Sequence, residues 1–285
     1  MFLGIEIGGT KLQLGVGPGN GSFESFRHAR IEPAGGAEGI LRQLVEMVPL
    51  VLRDARIVSV DAIGVGFGGP TDDDTQTVIT SHQVAGWDGF PLAEWLRETF
   101  GVRAVICNDA DVAGLAEARL GAGSGLSPVF YMTIGSGIGG GLVIDGKVYR
   151  GVGRGAAEVG HLRMPETLES LASGWGIERR TGTDAKSLGE AAAAGDERAV
   201  REIEVACGHL ADAICHVIAL LCPRRIVIGG GVSLMGDVLF LPLRRLVAER
   251  VFRPFAGLTD IVPAALGESV VVHGAIVLAR QWHEA

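Results

Sequence analysis

Apolar and polar positions fall in short blocks that break at glycine. Residues 3–16, L-G-I-E-I-G-G-T-K-L-Q-L-G-V, read as an apolar strand, a Gly-Gly turn and a returning strand. Residues 131–148, Y-M-T-I-G-S-G-I-G-G-G-L-V-I-D-G-K-V, repeat that plan, with a glycine hairpin at 135–141 and a further turn at Asp145-Gly146. Each turn carries one hydroxyl residue, Thr10 in the first and Ser136 in the second. Two such hairpins suggest two similar halves facing one ligand.

Further strands are predicted over 23–31, 58–67, 103–107 and 225–228. A helix beginning near Glu38 carries Ile40, Leu41, Leu44, Val45 and Val48 at helical spacing and is expected to kink or end at Pro49. Other helices are expected over 91–100, from Asp111 to a stop at Gly121, and over 168–180, 187–194, 196–221 and 237–251, with a final buried one within 267–282. Strands feeding helices in this order place the chain in the α/β class.

At 285 residues the chain exceeds the usual single-domain size, so two domains are expected. Hydrophobic residues at 47% and charged residues at 20% supply core material without a disorder signature. A net charge of -8 argues against nucleic acid as the principal partner. Cys107, Cys207, Cys215 and Cys222 form no zinc-type spacing and read as core thiols of a reducing cytosol. No apolar run reads as a membrane span, and the chain enters a strand at once, so a cytoplasmic protein is expected.

The chemistry gathers where strands end. Glycine turns leave backbone N–H groups uncovered, which is what a loop around a phosphate needs. The strand over 103–107 delivers Asn108-Asp109 to a helix amino terminus, where a carboxylate sits at the rim of the sheet, so Asp109 is a candidate base or a helix cap. Glu158 and His161 lie three apart at a glycine-rich turn and can meet one small polar ligand. Asp72, Asp73 and Asp74 read as a solvated turn. His209, Asp212 and His216 share a helix face at a spacing that such a helix also carries by chance.

Taken in order, these segments resemble the ROK sugar kinases of the actin-like ATPase superfamily. The resemblance rests on Gly4-Ile5-Glu6-Ile7-Gly8-Gly9-Thr10-Lys11, Gly69-Pro70-Thr71-Asp72, Gly86-Trp87, Asn108-Asp109-Ala110, Glu117, Gly121-Ala122-Gly123, the run from Thr133 to Gly141, Asp145-Gly146, Glu158-Val159-Gly160-His161, Ala172-Ser173-Gly174 and Gly229-Gly230-Gly231. It implies an α/β, two-domain actin-like ATPase fold, each domain ribonuclease H-like, with a cleft between them. The domains would be 1–120, joined by a C-terminal helix over 268–285, and 121–267.

The resemblance further implies ATP and Mg²⁺ as cofactors and a hexose as acceptor, with glucose at its 6-hydroxyl leading. Asp109 would be the base. Gly8, Gly9, Thr10, Lys11, Thr133, Gly135, Ser136, Gly137 and Gly139 would hold the nucleotide phosphates, and Gly230 and Gly231 would border the nucleoside. Asn108, Glu158, His161, Glu169 and Gly69 would hold the sugar. Glu6, standing where many members have Asp, would act with Asp109 on Mg²⁺ through water. A homodimer is the family's common state.

Two departures stand out. Most members carry a C-x-C-G-x-x-G-C zinc cluster between the counterparts of His161 and Glu169; residues 162–167 hold no cysteine, so no structural zinc is expected and His161 loses its usual support. The chain starts at the first phosphate strand without a helix-turn-helix segment, so an enzyme is expected rather than a repressor. N-acetylhexosamines and fructose remain open as acceptors. Polyphosphate remains open as donor, since N-D-A-D-V-A-G-L-A-E over 108–117 is similar to polyphosphate glucokinases. A non-catalytic sugar sensor is the alternative from another class.

Overall fold

The computed structural model describes residues 1–81 and 83–285. The chain opens with β1 (Phe2–Ile7), β2 (Lys11–Gly17) and β3 (Ser25–Arg30), then α1 (Gly36–Asp54), β4 (Ala62–Phe67), the short pair β5 (Thr71–Asp72) and β6 (Thr77–Val78), α2 (Leu92–Phe100), β7 (Ala104–Asn108) and α3 (Asp109–Arg119). There follow β8 (Val129–Ile134), β9 (Ile138–Ile144), β10 (Lys147–Val148), α4 (Leu168–Ala172), α5 (Gly174–Thr181), α6 (Ala185–Ala193) and α7 (Glu197–Leu221). Last come β11 (Arg225–Gly229), α8 (Asp237–Arg250), β12 (Asp260–Pro263) and α9 (Val270–Glu284).

The strands form two five-stranded sheets with the same plan, ordered β3-β2-β1-β4-β7 and β10-β9-β8-β11-β12. In each, three strands run as an antiparallel meander, β1-β2-β3 and β8-β9-β10, and the other two join in parallel beside β1 and β8. β1 and β4 are buried throughout, which explains their near-continuous apolar reading. One core lies between the first sheet and α1 and α2, including Leu3, Ile5, Leu44, Val65 and Trp87. A second lies between the other sheet and α4 to α8, including Phe130, Leu210, Ile214 and Leu243.

α9 returns from the second sheet to lie on β1 and β4, against α3. The approach is close: a Cβ at Gly64 would collide with the Ala275 carbonyl oxygen, and one at Gly274 with the Val112 carbonyl oxygen. α3 in turn packs on β8 and β9, where a Cβ at Gly114 would lie 3.1 Å from that of Tyr131. α3 and α9 are therefore a wedge shared by both sheets, with Val112, Leu115, Tyr131, Val227, Val271 and Ala275 in one buried cluster.

Several elements differ from the sequence reading. α1 continues through Pro49, because it buries Ile40, Leu44, Val48 and Val51 along one face. An interior proline costs about 3 kcal/mol, whereas four buried aliphatic side chains contribute roughly 1.5–3 kcal/mol each. The helix expected over 168–180 is two helices broken at Ser173, whose extended backbone ends α4 and whose Oγ accepts from Gly176 N at 3.1 Å to start α5. β12 has one buried residue and a terminal proline, too little pattern to announce a strand.

The turn over 72–74 is solvated only at Asp74: Asp73 pairs with Arg150 at 2.6 Å and Asp72 with Arg154 at 3.2 Å. α7 is long and apolar enough to cross a membrane by length and composition, but half of its most apolar stretch is buried inside the fold. On its surface Asp212 is taken by Arg250 at 2.8 Å, and His209, Asp212 and His216 do not form a metal group among the described residues.

The close approach of α9 to β4 generates a prediction. Gly64→Ala should lower the unfolding free energy in urea by about 1–3 kcal/mol, the usual cost of forcing a methyl into a packed contact. An unchanged midpoint and slope would show that the helix can retreat freely.

Candidate active site

The two sheets meet over a cleft of about 520 Å³. From the first sheet it is lined by Glu6, Gly8, Gly9, Thr10, Lys11 and Asp109, and from the second by Tyr131, Thr133, Ser136, Gly230 and Gly231. The turn between β1 and β2 is short: Gly8 N–H donates to the Lys11 carbonyl at 3.0 Å. Gly230 takes φ +84, and a side chain there would run into the Ile134 backbone, so only glycine lets 229–231 lie this close to β8.

Asp109 is the first residue of α3, but the cap of that helix is its neighbour. Asn108 Oδ1 accepts from Ala110 N at 2.9 Å and Asp111 N at 3.4 Å, while Asn108 Nδ2 donates to the Gly69 carbonyl at 3.1 Å. Asn108 thus ties the end of β7 to the loop after β4, and its capping leaves one Asp109 oxygen free of that duty. Asp109 Oδ1 accepts from Ala110 N at 2.8 Å. Withdrawal from water raises the Asp109 carboxyl to about 6; the Ala110 N–H opposes this, and Glu158 adds to it.

Glu6 sits on β1, 4% exposed, with Lys11 Nζ 3.0 Å from its Oε1. Burial raises its carboxyl to about 7 against the pull of Lys11, and Asp109 and Glu268 raise it further. The amide of Gln13, turned so that its nitrogen donates, reaches Glu6 Oε2 at 2.7 Å and the Glu268 carbonyl at 3.1 Å. Glu6 and Asp109 therefore bring two carboxylates to the cleft beside Lys11, while Glu268 meets Lys11 and Gln13 through its backbone carbonyl. Carboxylate oxygens are the hard donors that Mg²⁺ takes, but these side chains do not form a group of three or more metal-ligating residues among the described residues.

The other sequence candidates lie around this cleft rather than in it. Gly135, Gly137 and Gly139 shape the second turn: Gly135 N–H donates to the Gly137 carbonyl at 2.9 Å, and Gly139 packs against Ala110. Glu169, at the start of α4, accepts from Ile138 N at 2.8 Å and fills the space beside Gly137, so its carboxylate braces the turn. α5 docks on the same turn, with Gly174 N–H donating to the Gly135 carbonyl at 2.8 Å. Gly69 lies behind Asn108. Glu158 and His161 are exposed, on a strap that leaves β10, and Glu158 is near enough to bear on both Asp109 and Asp111. Ala157, just before it, holds φ +63, an uncommon conformation that turns the strap where Glu158 is presented.

Sequence reasoning missed Gln83, Tyr131, Ser233, Leu234 and Glu268, all of which line the cleft. Gln83 lies over Gly9 so closely that a Cβ there would overlap its carboxamide. Glu268 follows Gly267, at φ +62, just before α9. That glycine was the available signal.

The ROK family model matches residues 2–282. The chain is 29% identical to a glucokinase of Halalkalibacterium halodurans, over 98% of this chain and 95% of that protein. It is 33% identical to a kanosamine kinase of Amycolatopsis mediterranei, over 97% and 95%. A crystal structure of a ROK family glucokinase from Streptomyces griseus in complex with glucose and AMPPNP superposes with a TM-score of 0.81 at 29% identity, over 98% and 99% of the two chains.

The position of Glu169 yields a test. Glu169→Ala leaves the buried Ile138 N–H unpaired and should lower stability by about 1–3 kcal/mol in thermal or urea denaturation. A sugar-contacting role alone would leave the midpoint where it is.

Proposed function

We infer that this chain, which belongs to the ROK family, has the actin-like ATPase fold and is a sugar kinase, transfers the γ-phosphoryl group of ATP to the 6-hydroxyl of glucose. The observation that carries the reading is the convergence on one cleft of a carboxylate at a helix start, Asp109, with two glycine turns that bear hydroxyls, Thr10 and Ser136, from opposite sheets. Phosphoryl transfer asks for positioning and charge neutralisation more than for covalent chemistry, and these parts supply both.

In this reading Asp109 accepts the proton of the attacking hydroxyl. Gly8, Gly9, Thr10 and Lys11 on one side, and Thr133, Gly135, Ser136, Gly137 and Gly139 on the other, cradle the phosphates, with Gly230 and Gly231 beside the nucleoside. Glu6 and Asp109 would act on Mg²⁺ through water, and the metal would supply neutralisation of phosphate charge. Asn108, Glu158, His161, Glu169 and Gly69 form the acceptor side. Halves 1–120 with 268–285, and 121–267, close on the substrates, and the enzyme works as a cytoplasmic homodimer.

ATP is favoured over polyphosphate by the state of the lysine that lines the cleft. Lys11 is paired with Glu6. A polyanion track needs side chains with charge to spare. Glucose is favoured by the glucokinase relatives, and the kanosamine kinase relative makes amino sugars the next acceptors to try.

ADP release with Mg-ATP should be measured across glucose, N-acetylglucosamine, N-acetylmannosamine, fructose and kanosamine, with polyphosphate as a second donor. Glucose should give the highest kcat/KM, and Asp109→Asn should reduce it by about 10²–10⁴. Turnover from polyphosphate but not ATP, or sugar binding without turnover, would sink this reading.

Because the base must be ionised, kcat/KM should rise with pH through an acidic limb near 6, the value to which burial brings Asp109. A flat profile from pH 5 to 8 would contradict that role.

A further inference from the structure

Arg150 opens the strap over 149–158 that runs from β10 to Glu158, and it crosses to the first sheet. Its Nε donates to Asp73 Oδ2 at 2.8 Å and its Nη2 meets Asp73 Oδ1 at 2.6 Å, a two-pronged grip on one carboxylate. Nη2 also donates to Thr71 Oγ1 at 3.1 Å. Nη1 donates to Asp111 Oδ2 and to Cys107 Sγ, both at 2.8 Å. One guanidinium thus joins β5, the turn after it, the end of β7 and the first turn of α3.

The strap is fastened to the same turn at two further points, Asp73 N–H to the Gly153 carbonyl at 2.8 Å and Arg154 to Asp72 at 3.2 Å. Those two are nearer to solvent. Arg150 is 14% exposed and Asp111 2%, and Asp111 Oδ1 is buried without a hydrogen-bond partner. A buried pair with an unsatisfied oxygen is a poor source of stability, since desolvation offsets much of its attraction. Its consequence is geometric: it fixes the strap against α3.

What hangs on each side is the acceptor chemistry. Eight residues along the strap, past the turn at Ala157, stands Glu158; two residues before Asp111 in α3 stands Asp109. We propose that Arg150 is a positioning residue for the acceptor side of the cleft, holding the Glu158 strap in register with Asp109 through Asp73 and Asp111, so that the sugar hydroxyl meets its base. The assignment rests on the kinase reading given above. The donor turns at 8–11 and 135–139 lie outside the Arg150 contacts, so the nucleotide should not feel its loss.

The test is steady-state kinetics with glucose and Mg-ATP on Arg150→Met, Arg150→Lys and Asp73→Asn, with thermal denaturation alongside. Arg150→Met should raise KM for glucose about tenfold or more while KM for ATP stays within about twofold, as expected when only one substrate is misplaced. Arg150→Lys should recover part of the loss, and Asp73→Asn should show the same split. If Arg150→Met does not fold, the other two variants carry the comparison. Equal rises in both KM values, or an unchanged glucose KM in variants that fold, overturn the assignment and leave the kinase reading standing. A wild-type enzyme that turns over no sugar overturns both.

Discussion

The close backbone packing of α9 and α3 against the strands of both sheets is the constraint on which the rest of the molecule depends. Glycine at 64 and 274 lets carbonyl groups of the two helices lie where side chains would otherwise stand, so the α9–β4 and α9–α3 spacings are set by backbone rather than by adaptable side chains. α3 has little freedom as a result. Its first residue is Asp109, and its opposite face rests on β8 and β9. A candidate base held between two sheets in this way keeps one position relative to both glycine turns, which is the preorganisation that phosphoryl transfer rewards.

Electrostatics add a second layer. Withdrawal from water raises Glu6 to about 7, Asp109 to about 6 and Asp111 to about 7, so the centre of the molecule holds three carboxyls that ionise reluctantly. Two cations flank them. Lys11 lies against Glu6 in the cleft, and Arg150 lies against Asp111 and Asp73.

The sequence was most legible where local pattern and final environment agree. Apolar runs that stop at glycine announced both hairpins, and the run into Asn108-Asp109 announced a strand end at a helix start. The glycine turns and Asp109 lie on the cleft for that reason. Pro49 misled because the burial that holds α1 together comes from a sheet the local sequence does not show. β12 was silent because its partner, β11, supplies its order. Asp73 read as solvated because Arg150, which claims it, lies 77 residues away. Glu268 escaped notice for a similar reason: it comes to the cleft only because α9 folds back across the first sheet. What stayed hidden was long-range pairing, while the chemistry of single strand ends was plain.

The most direct measurement is phosphorus NMR of the products formed from glucose and Mg-ATP. The account predicts ADP together with one new phosphomonoester, coupled to the two protons of the sugar C6, in equal amounts. Inorganic phosphate with ADP and no sugar ester, or glucose left unmodified under conditions where calorimetry shows it bound, would contradict the central claim that this cleft passes phosphate to a hexose.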